Sequence, residues 1–138
     1  MQYNPNRIIR LVDRFIRIFA AAVWLVNGLY CKVLGQVPRH EMIVARILGP
    51  SHSRELIVAI GLAEIAMAAW VLSALYRRTC AALQIGLVMT MNILEFFLAP
   101  DLLLHGRANI IWAAAFCVAL YLGNFVLPRK TLEQSPAG

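Results

Sequence analysis

The sequence predicts an all-α membrane protein, a bundle of four transmembrane helices that forms a single domain over residues 1–138. Composition is the first observation behind this prediction: 61% of the residues are hydrophobic and 14% are charged, with a mean hydropathy of +0.70. Soluble domains have about 45–50% apolar and about 25% charged residues. A soluble fold of this length could not bury so much apolar surface. The length leaves room for one compact bundle.

The second observation is that four stretches are long enough to cross the bilayer. A helix needs roughly 20 apolar residues to span about 30 Å of hydrocarbon. The stretches cover about residues 18–35, 55–76, 80–98 and 109–128. The third ends before Pro100, because proline disfavours helix at the residue that precedes it. The linker Arg77–Thr79 is so short that the second and third helices must form an antiparallel hairpin.

The loop after the first span has a helical pattern of its own. Pro38 precedes it and the Gly49-Pro50 pair follows it, which are typical start and stop signals. We therefore predict a short helix over about residues 39–48, which lies in the membrane interface or at the end of the bundle.

Basic residues near the spans predict the orientation, since they concentrate on the cytoplasmic side. An arrangement with both termini in the cytoplasm places eight of them inside and four outside. The inner set is Arg7, Arg10, Arg14, Arg17, Arg77, Arg78, Arg129 and Lys130, and the outer set is Arg39, Arg46, Arg54 and Arg107. The net charge of +6 is then explained by anionic lipid headgroups rather than by nucleic acid.

Polar residues within the spans carry the functional signal. A charged group at the bilayer centre costs about 2.5–3.5 kcal/mol, so Glu64 should face protein or water. At about 100° per residue, Gln84, Asn92 and Glu95 fall within roughly 80° of one another. Lys32 lies about 140° from Asn27 on the first helix, which predicts that Lys32 extends to the outer interface unless the helix end is distorted.

These residues predict a polar cavity in the outer half of the membrane. Glu64 and Glu95 are candidate proton-handling groups there. The candidate cavity residues are Asn27, Lys32, Asn92 and Asn109 from the spans and His40, Glu41 and Arg46 from the outer loop. The alternative is that both glutamates bond to neighbouring helices, or pair with Lys32 or Arg46, and only hold the bundle together.

Metal and disulfide chemistry are not predicted. The three histidines lie on loops without close ligand spacing, so no metal site is expected. The three cysteines are far apart and include no C-x-x-C, which argues against a disulfide framework.

Four segments together resemble the DoxX-like membrane proteins: WLVNGLYCKVLG, PRHEMIVARILG, IGLAEIAMAAWVLS and MNILEFFLAPDLLLHGRAN. The resemblance covers roughly Val23 to Asn109, and the fourth helix matches in type only. It implies a four-helix bundle in a bacterial cytoplasmic membrane. The name-giving member is similar to a subunit of a thiosulfate:quinone oxidoreductase, and other relatives associate with redox enzymes. The family offers no agreed catalytic set to carry over onto these positions.

Three functions remain open at this point. The first is a membrane subunit or quinone-interacting component of a redox system, with a soluble or membrane oxidoreductase as partner. The second is a non-catalytic anchor or assembly protein. The third is a small-solute carrier, which would need a homo-oligomer because four helices enclose little volume.

Overall fold

The computed structural model describes residues 5–129, which form five α-helices and no strand. The helices are α1 (Pro5–Leu25), α2 (Pro38–Leu48), α3 (Ser53–Ser73), α4 (Arg77–Leu98) and α5 (Asn109–Tyr121). Two π-helical segments continue them: the first π segment, Val26–Val33, follows α1, and the second, Leu122–Val126, follows α5. The all-α prediction is confirmed. Lys130, one of the residues used for orientation, lies outside the described residues.

Three helical stretches are long and apolar enough to cross a membrane: Ser53–Ser73, Arg77–Leu98 and Gly106–Arg129. A fourth candidate is a bent pair, in which Asn6–Val33 and Pro38–Leu48 meet at 82°. The chain is therefore a multi-pass membrane protein. The short helix expected over residues 39–48 is α2, whose Ile43 and Val44 are buried against α3 and the first π segment.

The first helix is much longer than predicted, since it begins at Pro5 instead of about residue 18. The prediction followed the apolar run and stopped at the arginines that precede it. Arginine is nevertheless a good helix former, and proline is favoured in the first turn of a helix. The apolar run therefore marks the part of α1 that lipid or protein covers, and not the full helix.

The turn between α3 and α4 lies three residues earlier than the predicted linker. It consists of Ala74, Leu75 and Tyr76, and the first and last of these have positive φ angles of 57° and 47°. The Trp70 indole donates a hydrogen bond to the Leu75 carbonyl at 2.9 Å. This bond fixes the turn to the end of α3, and α4 begins directly after the turn at Arg77.

Packing joins α1 to α3 and α4 to α5. The main apolar core lies in the half of the bundle nearer the α3–α4 turn. It contains Ala20, Ala21, Trp24, Met67, Ala68, Val71, Cys80 and Leu120. The opposite end, below α2, contains the polar residues of the candidate site.

Candidate functional site

The first π segment decides where Lys32 points. Its turns are wider than those of an α-helix, because the backbone hydrogen bonds join residues that are five apart. An example is the 2.9 Å hydrogen bond from the Leu34 amide to the Leu29 carbonyl. Residues five apart, such as Asn27 and Lys32, are then no longer separated by the 140° of an α-helix. The Lys32 side chain turns into the bundle and is only 5% exposed. The helix end is distorted, so the exception to the predicted interfacial position applies and Lys32 does not extend to the interface.

Two glycines allow the first π segment to touch α3. A Cβ atom on Gly28 would lie 2.6 Å from the Gly61 carbonyl oxygen, and one on Gly61 would lie 2.7 Å from the Gly28 oxygen. Neither position has room for a side chain. The two backbones are therefore in direct contact, as is common where small residues meet in membrane bundles.

A buried ion pair lies beside this contact. The Lys32 Nζ atom is 2.7 Å from both carboxylate oxygens of Glu64. The two side chains are 5% and 6% exposed. Glu64 accepts hydrogen bonds from two of the ammonium protons of Lys32, and the third proton is available to another acceptor. Pairing lowers the cost of burying the two charges, which would be prohibitive for either residue alone.

Arg54 fixes the end of the first π segment. Its guanidinium donates to the Lys32 carbonyl at 3.2 Å and to the Val33 carbonyl at 2.9 Å. These carbonyls have no intrahelical partner at a helix end, so Arg54 supplies the missing donors. Glu41 lies beside Arg54 at 3.8 Å, and its other carboxylate oxygen accepts from Ser53. Nothing in the local sequence around Val33 indicates this long-range cap.

Glu95 lies near the ion pair without joining it. The side chain is half-buried on α4, and within residues 5–129 it forms no hydrogen bond or ion pair. Lys32, Glu64 and Arg39 are close enough to act electrostatically on its carboxyl group. The His40 side chain is half-buried on α2, and it lies close enough to Lys32 and Arg39 for their positive charges to act on it. We call Lys32, Arg39, His40, Glu64 and Glu95 the polar cluster.

The predicted amides take other partners. Asn109 donates from Nδ2 to the Asn92 side-chain oxygen at 3.0 Å, which links α5 to α4. Asn27 donates to the Val23 carbonyl of its own helix at 2.9 Å. The structure thus joins Asn92 to Asn109 but leaves Asn27 bonded within α1.

Arg46 pairs with Asp101 rather than with a buried glutamate. The two side chains form a bidentate contact, with N–O distances of 2.9 and 3.2 Å. Both are well exposed to solvent. Arg46 therefore joins α2 to the loop that follows α4 and takes no part in the polar cluster.

This surface pair gives a pH prediction. Hydrogen bonding to Arg46 lowers the pKa of Asp101 below its usual value. Such a group adds stability above its ordinary pKa and loses that contribution as the pH falls through the lowered pKa. The Arg46→Gln substitution should therefore raise the pKa of Asp101 towards its usual value, while Arg107→Gln should not. Carbon-13 NMR titration of labelled aspartate measures both, and equal pKa values in wild type and Arg46→Gln would contradict the assignment.

Two polar contacts at the opposite end were not predicted. The Trp24 indole donates to the Gln84 side-chain oxygen at 2.8 Å, and Gln84 is 2% exposed. Arg77 bonds to Asp13 and, at 3.2 Å, to the Gly123 carbonyl. A cleft of about 20 Å³ lies between them, enough for about one water molecule. The signal available in the sequence was that Asp13 is the only acid among the arginines of the N-terminal segment.

Within the described part of the chain, no group of three His, Cys, Asp or Glu side chains is placed to hold a metal ion. The polar cluster combines a fixed ion pair with a carboxyl group that has no partner in residues 5–129, and the donors Arg39 and His40 lie nearby.

A family model described as the DoxX-like family matches residues 21–122. This range includes the first π segment, α2, α3, α4 and all five residues of the polar cluster. No curated protein and no solved structure matches the chain. Since the matched range covers more than half of the sequence, the chain belongs to the DoxX-like family.

Proposed function

We propose that the chain is a membrane component of a redox system and that the polar cluster interacts with a quinone. The observation that carries the proposal is Glu95, a half-buried carboxyl group without a partner in residues 5–129, next to a buried ion pair. Burying an unpaired carboxyl group in a membrane segment is energetically unfavourable, and ionisable groups in such positions are typical of functional sites.

The residues of the cluster suit a quinone headgroup. Quinone carbonyl oxygens accept hydrogen bonds, and Arg39, His40 and the third proton of Lys32 are donors. When bound, a quinone accepts two electrons and two protons. Glu95 would pass protons to the site, His40 would donate a hydrogen bond, and the Lys32–Glu64 pair would keep its local charge fixed. The electrons would come from a partner oxidoreductase.

We also propose that the cluster lies on the outer side of a bacterial cytoplasmic membrane. The excess of basic residues at the other end of the bundle supports this orientation, with both termini in the cytoplasm. A partner that delivers electrons at this cluster would then act from the outer face or from within the membrane.

Quinone binding tests the proposal. Purified protein in lipid nanodiscs should show saturable quenching of tryptophan fluorescence by a short-chain ubiquinone analogue. Glu95→Leu should weaken the binding up to about tenfold, because a protonated Glu95 would donate one hydrogen bond to a quinone carbonyl, about 0.5–1.5 kcal/mol. The matched control is Glu55→Leu, which changes an exposed carboxylate in the first turn of α3.

Infrared difference spectra add a second measurement. Reduction of the bound analogue should change a carboxyl band that disappears in Glu95→Gln and persists in Glu55→Gln. Absence of saturable quenching, or equal affinity in wild type and Glu95→Leu, would refute quinone interaction at this site.

A non-catalytic anchor is the second candidate. The observation that favours it is the mutual neutralisation of Lys32 and Glu64, which is how structural ion pairs are satisfied. Under this function, Glu95→Gln should leave co-purification of the partner oxidoreductase unchanged, and quinone quenching should be absent from wild type.

A further inference from the structure

We infer that the N-terminal half of α1 and the crevice beside α5 form a binding site for one anionic phospholipid. The site lies at the end of the bundle opposite the polar cluster. The inference does not depend on the proposed quinone chemistry.

The start of α1 extends beyond the membrane hairpin. Asp13 bonds to Arg77, the first residue of α4, so it lies level with the α3–α4 turn. The helix residues before Asp13 therefore project past that turn by about 12 Å, at 1.5 Å per residue. This part of α1 lies at the level where lipid headgroups meet the hydrocarbon.

Three faces run along this part of the helix. The arginines occupy one face within about 80°, because they are spaced i, i+3, i+7 and i+10: Arg7, Arg10, Arg14 and Arg17. A second face, about 100° away, is apolar and exposed: Ile8, Leu11, Phe15 and Ile18, of which Phe15 is 69% exposed. The third face, which includes Ile16 and Ala20, packs against the protein.

The arginines lack counter-charges. Asp13 is taken by Arg77, and within residues 5–129 none of the four α1 arginines has an ion-pair partner. A basic face beside an exposed apolar face is typical of helices that bind anionic lipid at the interface. The charge pattern therefore fits a ligand with a negative headgroup and an apolar tail.

A crevice continues the apolar face into the membrane. It has a volume of about 170 Å³ and lies between α1 and α5, lined by Phe15, Ile16, Phe19, Phe116, Ala119 and Leu120. An apolar cavity of about 150 Å³ holds a benzene molecule, so this crevice suits a segment of one acyl chain. The phosphate would then lie against Arg7 and Arg14, the two arginines on the edge of the basic face that adjoins the apolar face.

Native mass spectrometry tests the site with two probes, phosphatidylglycerol and phosphatidylcholine, added to the full chain in detergent. Wild type should retain phosphatidylglycerol in preference. Each arginine near an anionic lipid strengthens binding about fivefold, so the double variant Arg7→Gln/Arg14→Gln should lower the phosphatidylglycerol affinity about 25-fold. Arg107→Gln, the matched change at the other end, should leave it unchanged.

The crevice has its own variant. Ala119→Phe should fill it and lower the retention of both lipids, while circular dichroism reports whether the helices remain. Equal retention of the two lipids by wild type, equal loss in Arg107→Gln, or unchanged retention in Ala119→Phe would each overturn the inference. A wild-type dimer that persists without phospholipid and is lost in Ala119→Phe would identify a second copy of the chain as the occupant instead.

Discussion

Replacement of Lys32 by methionine is expected to lower the free energy of unfolding by about 3–5 kcal/mol. The side chain keeps a similar length, but the Glu64 carboxylate loses its counter-charge while it stays 6% exposed. Removing one partner of a buried pair is strongly destabilising because the other charge remains desolvated. Equilibrium unfolding by sodium dodecyl sulfate in mixed micelles, followed by circular dichroism, measures the change.

The double variant Lys32→Met/Glu64→Leu is the decisive comparison. It removes both charges and should unfold at or above the wild-type detergent concentration, since apolar replacement of a buried pair is often neutral or stabilising. A Lys32→Met protein as stable as wild type would contradict the ion pair as the buried contact of Glu64. The same conclusion would follow if the double variant were as unstable as the single one.

The Gly28→Ala substitution is expected to cost about 1–3 kcal/mol of stability, the usual range for overpacking. Its methyl group would lie 2.6 Å from the Gly61 carbonyl oxygen and 2.9 Å from the Glu64 Cβ atom. A backbone oxygen in a helix cannot move aside as a flexible side chain does. The first π segment and α3 must therefore separate, which also loosens the contact between Lys32 and Glu64. The same unfolding measurement reports the loss.

Gly86 provides the matched control on α4. A Cβ atom there meets nothing within 4 Å. Gly86→Ala should therefore keep wild-type stability or gain up to about 1 kcal/mol, because alanine is the better helix residue. Equal losses in the two variants would mean that helix propensity, and not close approach, controls the response at Gly28.

The long apolar helices could be predicted from the sequence because hydrophobic length is a one-dimensional property. The predicted span 80–98 and α4, Arg77–Leu98, differ by only three residues at one end. The start of α1 could not be predicted in this way, since its arginines interrupt the apolar run without interrupting the helix. Hydropathy locates what lipid can cover, whereas capping and helix propensity decide where the helix begins.

Four residues of the polar cluster, all but Arg39, were candidates from the sequence, but the contacts of these polar side chains were not predicted. Gln84, Asn92 and Glu95 share a helical face, yet Gln84 bonds to Trp24 while Asn92 bonds to Asn109. The pairing of Lys32 with Glu64 depends on a non-α stretch and on the contact between Gly28 and Gly61. This departure from α-helical geometry arises from tertiary packing. The angular spacing of residues on an ideal α-helix does not describe it.

The widened turns of Val26–Val33 also restrict how this part of the sequence can change in length. A segment of eight residues with bonds five apart turns about 100° less than an α-helix of the same length, which is the rotation of about one residue. Deleting one residue among Leu29, Tyr30 and Cys31 would therefore return the stretch towards ordinary α geometry while Lys32 still faces the seam with α3. Inserting one residue there would instead rotate Lys32 out of the seam, and the carbonyls held by Arg54 would face elsewhere. Natural variants should therefore show single-residue gaps between Gly28 and Lys32 more readily than single-residue insertions.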